Sequence, residues 1–134
     1  MVAGAGIPPG TPPMIAIKVT VLDRDNSPIA KDAVAVIDTG ADHNVIDDDF
    51  AKEHLDFVRK QGMLSGGIPR TTDIYKCSIV LKEFNQQIDG ECATGPFKQT
   101  RRNYLIILGR GFLRHFDLII RADEKEVLLR RPAQ

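Results

Sequence analysis

The sequence lacks a net charge and any long hydrophobic run, and each absence excludes a class of protein. Its 18 acidic residues balance its 18 basic residues, which removes the overall electrostatic case for a nucleic-acid-binding protein. No run approaches the ~18 apolar residues that a membrane-spanning helix needs, so membrane contact is not indicated. The 134 residues are enough for one domain with a sizeable core.

Residues with metal-binding or nucleophilic chemistry are also few. Cys77 and Cys92 have neither zinc-ligand spacing nor a Cys-x-x-Cys motif, and no set of His, Cys and Asp residues has metal-ligand spacing. No Gly-x-Ser-x-Gly motif occurs. We therefore expect no metal and no cofactor. The two cysteines lie in strand-like stretches and could be neighbours in a hairpin, but free, buried thiols in the reducing cytoplasm are the preferred interpretation.

The first 13 residues differ in composition from the rest. Prolines at 8, 9, 12 and 13 interrupt them, and no basic region precedes an apolar run, so they are not a secretory signal. We predict that residues 1–13 form an extended, flexible Pro/Gly-rich segment before a domain at 14–134. Such a start is consistent with excision of the domain from a larger precursor.

From residue 14 the sequence has the pattern of β-structure. Apolar residues alternate along 15–21, whereas 33–37 is an unbroken apolar run typical of a strand buried on both faces. We predict an all-β fold, a small closed β-barrel with one or two short helices. The other predicted elements are strands at 75–81, 88–92 and 104–108, a short helix at 112–115, and a hairpin of 117–120 with 126–130.

One helix of greater length is predicted after the first barrel strands. Asn44 or Asp47 can cap it, since side-chain oxygens of these residue types accept hydrogen bonds from the first helical amides. Ala51, Leu55 and Val58 follow at the spacing of one helix face. This helix is predicted to be structural. The basic residues of 98–102 lack interleaved aromatics and indicate a solvated loop, with contact to a polyanion as the alternative.

The motif Asp38-Thr39-Gly40 ends the buried run at 33–37. A carboxylate at the end of a buried strand is costly unless it has a use. A second apolar run, 104–108, also ends at a glycine, but Leu108 stands where a second acid would be. Two adjacent carboxylates share one proton, so that one can activate water while the other acts as an acid. Because the chain is too short for a second copy, we predict a two-fold homodimer that brings two Asp38 side chains together.

Two segments carry a resemblance to a known family. "IDTGAD" at 37–42, followed about seventy residues later by "IILGRGFL" at 106–113, resembles the retropepsin-like aspartic proteases, most of all their cellular and bacterial branch. The resemblance covers nearly the whole chain from Met14. It implies an aspartic endopeptidase, active as a homodimer, that hydrolyses peptide or protein substrates through an activated water. The alternative is a catalytically silent module of the same fold that dimerises or binds peptides.

The resemblance also implies roles for individual residues. Asp38 is the catalytic carboxylate, Thr39 would hydrogen-bond across the dimer axis, and Gly40 would let the substrate approach closely. Gly109 and Arg110 would give structural support, with Arg110 paired to Asp42. The implied substrate-binding residues are Ala41, Asp42, Val45, Ile107 and a flap tip formed by Ser65, Gly66 and Gly67.

One feature leaves two positions open for the flap, and two others depart from the family pattern. Residues 66–67 could instead form a static turn in the loop predicted at 63–69, with the flap nearer 69–75. Gly111 stands where the family commonly has Asp or Asn, which predicts the loss of one polar contact. The amino end lacks the short strand of the retroviral members, so the carboxy-terminal hairpin at 116–130 is expected to carry much of the dimer interface.

Overall fold

The computed structural model describes residues 2–7, 14–65, 67–121 and 126–132, and most of them lie in strands. The helices are α1 (Asp48–His54), α2 (Arg110–Leu113) and one turn of 3-10 helix (Lys82–Phe84). The strands are β1 (Val2–Ile7), β2 (Met14–Leu22), β3 (Pro28–Ile37), β4 (Asn44–Asp47), β5 (Phe57–Ser65), β6 (Ile68–Leu81), β7 (Gln86–Gly95), β8 (Ile106–Leu108), β9 (Asp117–Arg121) and β10 (Glu126–Arg130).

One sheet contains all ten strands, in the order β5-β6-β7-β4-β8-β3-β2-β1-β10-β9. The additional pairing of β2 with β6 joins strands that this order places far apart, so the sheet curves strongly. The pairs β3–β8 and β4–β7 are parallel. The mostly β prediction is confirmed, whereas the closed barrel and the homodimer stay predictions.

The core fills the inside of this curve and fixes the centre of the sheet. Ile46, Ile106, Leu108 and Phe112 are completely buried, and side chains of this size each contribute about 1.5–3 kcal/mol when fully buried. The run at 33–37 ends β3 as predicted, although only Ala35 and Val36 of it are buried in the single chain, and Ile37 pairs with Leu108 on β8. The two apolar runs of the sequence therefore lie side by side.

The helix predictions are confirmed in position but not in length. Asp47 is the N-cap of α1, since its Oδ2 accepts a hydrogen bond from the Phe50 N–H at 3.1 Å. The helix ends at His54 because Leu55 already has extended backbone angles. Val58 therefore belongs to β5, not to the helix, in accord with the strand preference of β-branched residues. Helix α2 begins at Arg110, two residues before the predicted start.

Strands β5 and β6 form a long hairpin where a loop was predicted at 63–69. Ser65 pairs with Ile68, and Gly67 has a φ of +81°, which favours glycine; Gly66 lies outside the described residues. The outer hairpin is exposed on both faces, with Leu64 73% and Ile68 66% exposed. Such a strand carries no alternation of apolar and polar residues, so its sequence does not indicate a strand.

The prediction of a free amino end is wrong for Val2–Ile7. This segment forms β1, which pairs with β10 on one side and with β2 on the other. The prolines begin only at residue 8, so nothing in residues 2–7 prevents strand pairing; residues 8–13 lie outside the described residues. The carboxy-terminal hairpin of β9 and β10 is confirmed. In the described segments, no helix combines the length and apolar character required to cross a membrane.

The two cysteines are free and buried in the β6–β7 hairpin. Cys92 pairs with Tyr75 and Cys77 with Gly90, so the two thiols lie diagonally on one face of the hairpin. A hydrogen bond with the Cys77 thiol, together with burial, raises the pKa of Cys92 well above its usual value. A protonated, buried thiol is a poor nucleophile, which argues for a packing role.

Candidate active site

Asp38 follows β3 and starts a tight turn that presents its carboxylate to solvent. Its N–H donates to the carbonyl of Leu108 at 3.0 Å, which anchors the turn to β8. Its Oδ1 accepts from the Gly40 N–H at 3.0 Å, and its carbonyl accepts from the Ala41 N–H at 3.2 Å. The turn therefore orients an exposed carboxylate, while the neighbouring Leu108 is completely buried and apolar.

Gly109 allows the β8 end to approach the turn after β3. A Cβ at this position would lie 2.5 Å from the His43 carbonyl oxygen and 2.6 Å from that of Ala41. The Gly109 N–H donates to Asn44 Oδ1 at 3.0 Å in a buried hydrogen bond. Asn44 thus links the two segments that hold the carboxylate. The sequence pattern indicated only a helix cap here, and the signal for this role is a polar residue at the start of a buried strand.

Asp42 and Arg110 form an ion pair in the same chain. The Arg110 N–H also donates to the Ala41 carbonyl at 2.8 Å, so side chain and main chain join the same two segments. Both side chains are exposed in this single chain, Asp42 by 67% and Arg110 by 65%. Ion pairs of this exposure are typically worth up to about 1 kcal/mol.

Gly111 leaves room beside Asn44. A Cβ at Gly111 would lie 3.7 Å from Asn44 Nδ2 and 3.8 Å from the Asp42 carbonyl oxygen. The predicted loss of one polar contact at Gly111 stays a prediction. The neighbouring Asn44 supports the loop through its hydrogen bond with the Gly109 N–H.

A cleft of about 760 Å³ lies between the turn after β3 and the β5–β6 hairpin. Five of the residues predicted at the site line this cleft, and Met63 and Leu64 line it on the side of the hairpin. Of the predicted tip residues, Ser65 is the last residue of β5 and Gly67 directly precedes β6, whereas Gly66 lies outside the described residues. The five predicted residues are Gly40, Ala41, Asp42, Val45 and Ile107.

Phe97 also lines this cleft, although the sequence pattern gave no indication of it. It belongs to the segment at 95–104, where the residues of the basic cluster are exposed, as expected for a solvated loop. Asp47 anchors this segment, since its Oδ1 accepts from the Lys98 N–H at 2.8 Å.

The acidic group Asp47, Asp48 and Asp49 brings carboxylate oxygens within 4.8 Å of one another. However, both oxygens of Asp47 are used by main-chain donors, Phe50 N–H on Oδ2 and Lys98 N–H on Oδ1. The position of Asp47 is explained by these two roles, as the cap of α1 and as the anchor of the segment at 95–104. Carboxylates at the start of a helix are also stabilised by the helix dipole.

Comparison with known proteins supports the fold. The chain is similar to the EIAV protease in complex with the inhibitor HBY-793, with 19% identity, a TM-score of 0.52, and coverage of 81% of this chain and 92% of that chain. It is also similar to a retropepsin-like aspartic protease from Rickettsia conorii, with 16% identity, a TM-score of 0.55, and coverage of 96% and 91%. No sequence profile of a protein family and no curated protein matches the chain. The chain therefore has a retropepsin-like fold.

Proposed function

We propose that the chain is an aspartic endopeptidase that acts as a homodimer, with one Asp38-Thr39-Gly40 from each copy. The observation that carries this proposal is an exposed, oriented Asp38 beside a buried Leu108. One chain thus offers half of a two-carboxylate site, and the two solved structures compared above are proteases of the fold that would use such a site. A two-fold axis near Asp38 supplies the other half.

In this dimer the two Asp38 carboxylates hold one proton between them. The ionised carboxylate takes a proton from water, and the water oxygen attacks the scissile carbonyl carbon without a covalent enzyme intermediate. The protonated carboxyl donates to the carbonyl oxygen, on which negative charge develops. Because the pair needs one shared proton, activity is expected to be highest at mildly acidic pH.

The other predicted site residues act on binding and closure. Thr39 hydrogen-bonds across the dimer axis, and Gly40 and Ala41 leave space for the substrate main chain. Val45 and Ile107 contact substrate side chains. The β5–β6 hairpin is the flap, whose tip at 65–67 closes over the peptide and excludes water. The exposed apolar side chains next to the tip support this role, since such patches mark contact surfaces.

The test is cleavage of an unfolded protein between pH 4 and 7 by the wild type and by Asp38→Asn, with and without a pepstatin-type inhibitor. Asp38→Asn is expected to abolish cleavage and to leave the dimer intact by analytical ultracentrifugation. Asp32→Asn is the matched control, because Asp32 is an exposed acid on β3 with a φ of 53°, which asparagine tolerates.

Two results would refute the proposal. Cleavage by Asp38→Asn at the wild-type rate would exclude Asp38 as the catalytic group. A confirmed dimer that cuts nothing at any pH would favour the catalytically silent module. A crystal structure of the dimer would add a direct measure, the distance between the two Asp38 carboxylates.

A further inference from the structure

One aromatic side chain forms part of the cleft wall and rests on a glycine. A Cβ built on Gly95 would lie 3.0 Å from Cε1 of Phe97, 3.3 Å from its Cζ, and 3.3 Å from Cγ1 of Val45. The Phe97 ring therefore occupies the space that any other residue at position 95 would fill. Cγ1 of Val45, a residue of the cleft, borders the same space.

The segment that carries Phe97 is held at several points. The Phe97 carbonyl accepts from the Arg102 N–H at 2.8 Å, and the ring meets Tyr104 edge-on with 4.9 Å between centroids. The next residue, Lys98, donates its N–H to the Asp47 carboxylate at 2.8 Å. The main-chain hydrogen bonds hold the segment in place, and the ring cannot swing aside for a ligand without losing its contact with Tyr104.

The fixed ring reduces the space on one side of the cleft. Phe97 is only 8% exposed, yet it lines the cleft together with Val45, Ala93 and Ile107, all of them apolar. A ligand side chain that enters here meets apolar surface on every one of these residues. The Phe97 ring occupies part of the space on this side of the cleft.

We propose that Phe97 is a specificity-determining residue that restricts one side-chain subsite of the cleft to small or β-branched aliphatic groups, such as valine, over aromatic ones. For catalysis the inference rests on the proposed function, but peptide binding tests it independently. Replacing the ring by a methyl group would open the subsite to a larger side chain. The expected change follows from the discrimination of about tenfold or more that hydrophobic pockets achieve per methylene.

The experiment uses fluorescein-labelled octapeptides that are identical except for valine or phenylalanine at each position in turn. Binding is measured on Asp38→Asn protein, and kcat/KM on protein with Asp38 intact. At the position with the strongest valine preference, Phe97→Ala is expected to shift the ratio toward phenylalanine by at least about tenfold, with Phe97→Leu intermediate. Phe84→Ala is the matched control, because Phe84 is a partly buried aromatic in the 3-10 turn Lys82–Phe84 that stacks on Phe116, and it should leave the ratio unchanged.

The outcomes separate this inference from the proposed function. A shifted binding ratio without any cleavage supports the role of Phe97 and refutes the protease. Cleavage with a ratio that Phe97→Ala and Phe97→Leu both leave within twofold of wild type refutes the role of Phe97. The role of Phe97 is also refuted if no position shows a valine preference, or if a folded dimer binds none of the peptides. Thermal melts identify whether Phe97→Ala is folded, and Phe97→Leu decides the question if it is not.

Discussion

Replacing Gly109 with alanine should damage the structure around Asp38 far more than the same change two residues later. The added Cβ would lie 2.5 Å and 2.6 Å from the carbonyl oxygens of His43 and Ala41, and 2.9 Å from the His43 carbonyl carbon. These three atoms belong to the main chain, so no rotation of a side chain relieves the contact. At Gly111 the nearest atom is 3.7 Å away, which is an ordinary contact.

The magnitude follows from two alternative responses of the structure. Forcing an extra carbon into a packed region typically costs about 1–3 kcal/mol. If the turn moves away instead, the buried hydrogen bond from Gly109 N–H to Asn44 is lost, and an unsatisfied buried amide costs about 1–3 kcal/mol. We expect Gly109→Ala to lower the free energy of unfolding by about 3 kcal/mol. Gly111→Ala should raise it by up to about 1 kcal/mol, since alanine is favoured over glycine in a helix.

Urea unfolding measured by circular dichroism, at one protomer concentration for all variants, compares the two substitutions. With a slope of about 1–3 kcal/mol per molar urea, the Gly109→Ala midpoint should fall by about 1 M or more. The close approach between β8 and the turn after β3 would be refuted by a Gly109→Ala midpoint equal to that of wild type. Equal losses in both variants would refute the contrast between the two glycines.

Two further predictions concern titrating groups in the β6–β7 region. Contact with Cys77 and burial raise the pKa of Cys92. The Cys92 thiol should therefore react with a disulfide reagent at pH 8 far more slowly in folded protein than in protein unfolded by urea. Equally fast reaction in the two states would contradict the buried thiol pair. The bidentate contact with Arg59 lowers the pKa of Glu91, so its stabilisation is present above the unfolded pKa of about 4.3 and is lost as the pH falls through the lower folded value. Unfolding measured from pH 6 down to pH 3 should therefore show Glu91→Gln less stable than wild type at pH 6, with a difference that shrinks as the pH falls. Glu83→Gln is the surface control, and a constant difference across this range would count against the pair.

The strongest local patterns predicted the central part of the structure. The apolar run at 33–37 leads into Asp38, the second run ends at Gly109, and the two lie side by side as parallel strands. Asp47 caps the helix as its residue type predicts. In each case the sequence pattern reflects the same burial or hydrogen bond that the structure uses.

The elements that were not predicted depend on long-range contacts. Strand β1 is fixed by partners about ten and more than one hundred residues away. The local composition did not indicate it, because the prolines that follow it predicted a flexible segment. The outer β5–β6 hairpin is exposed on both faces, so its sequence has no buried periodicity. Asn44 and Phe97 matter because of Gly109 and Gly95, and a close approach between chain segments leaves no periodic signal.

The strand order β2-β1-β10-β9 makes the last hairpin dependent on the first residues of the sequence. Its ladder to the rest of the sheet runs through β1, with Val2 opposite Leu129 and Ala5 opposite Ala16. Deleting the first seven residues, or displacing them with a bulky tag, would thus weaken the attachment of the β9–β10 hairpin to the sheet. An affinity tag for this protein should therefore not be placed at the amino end. Proteolytic cleavage near residue 8 would free β1 and thereby weaken the attachment of β9 and β10 to the sheet.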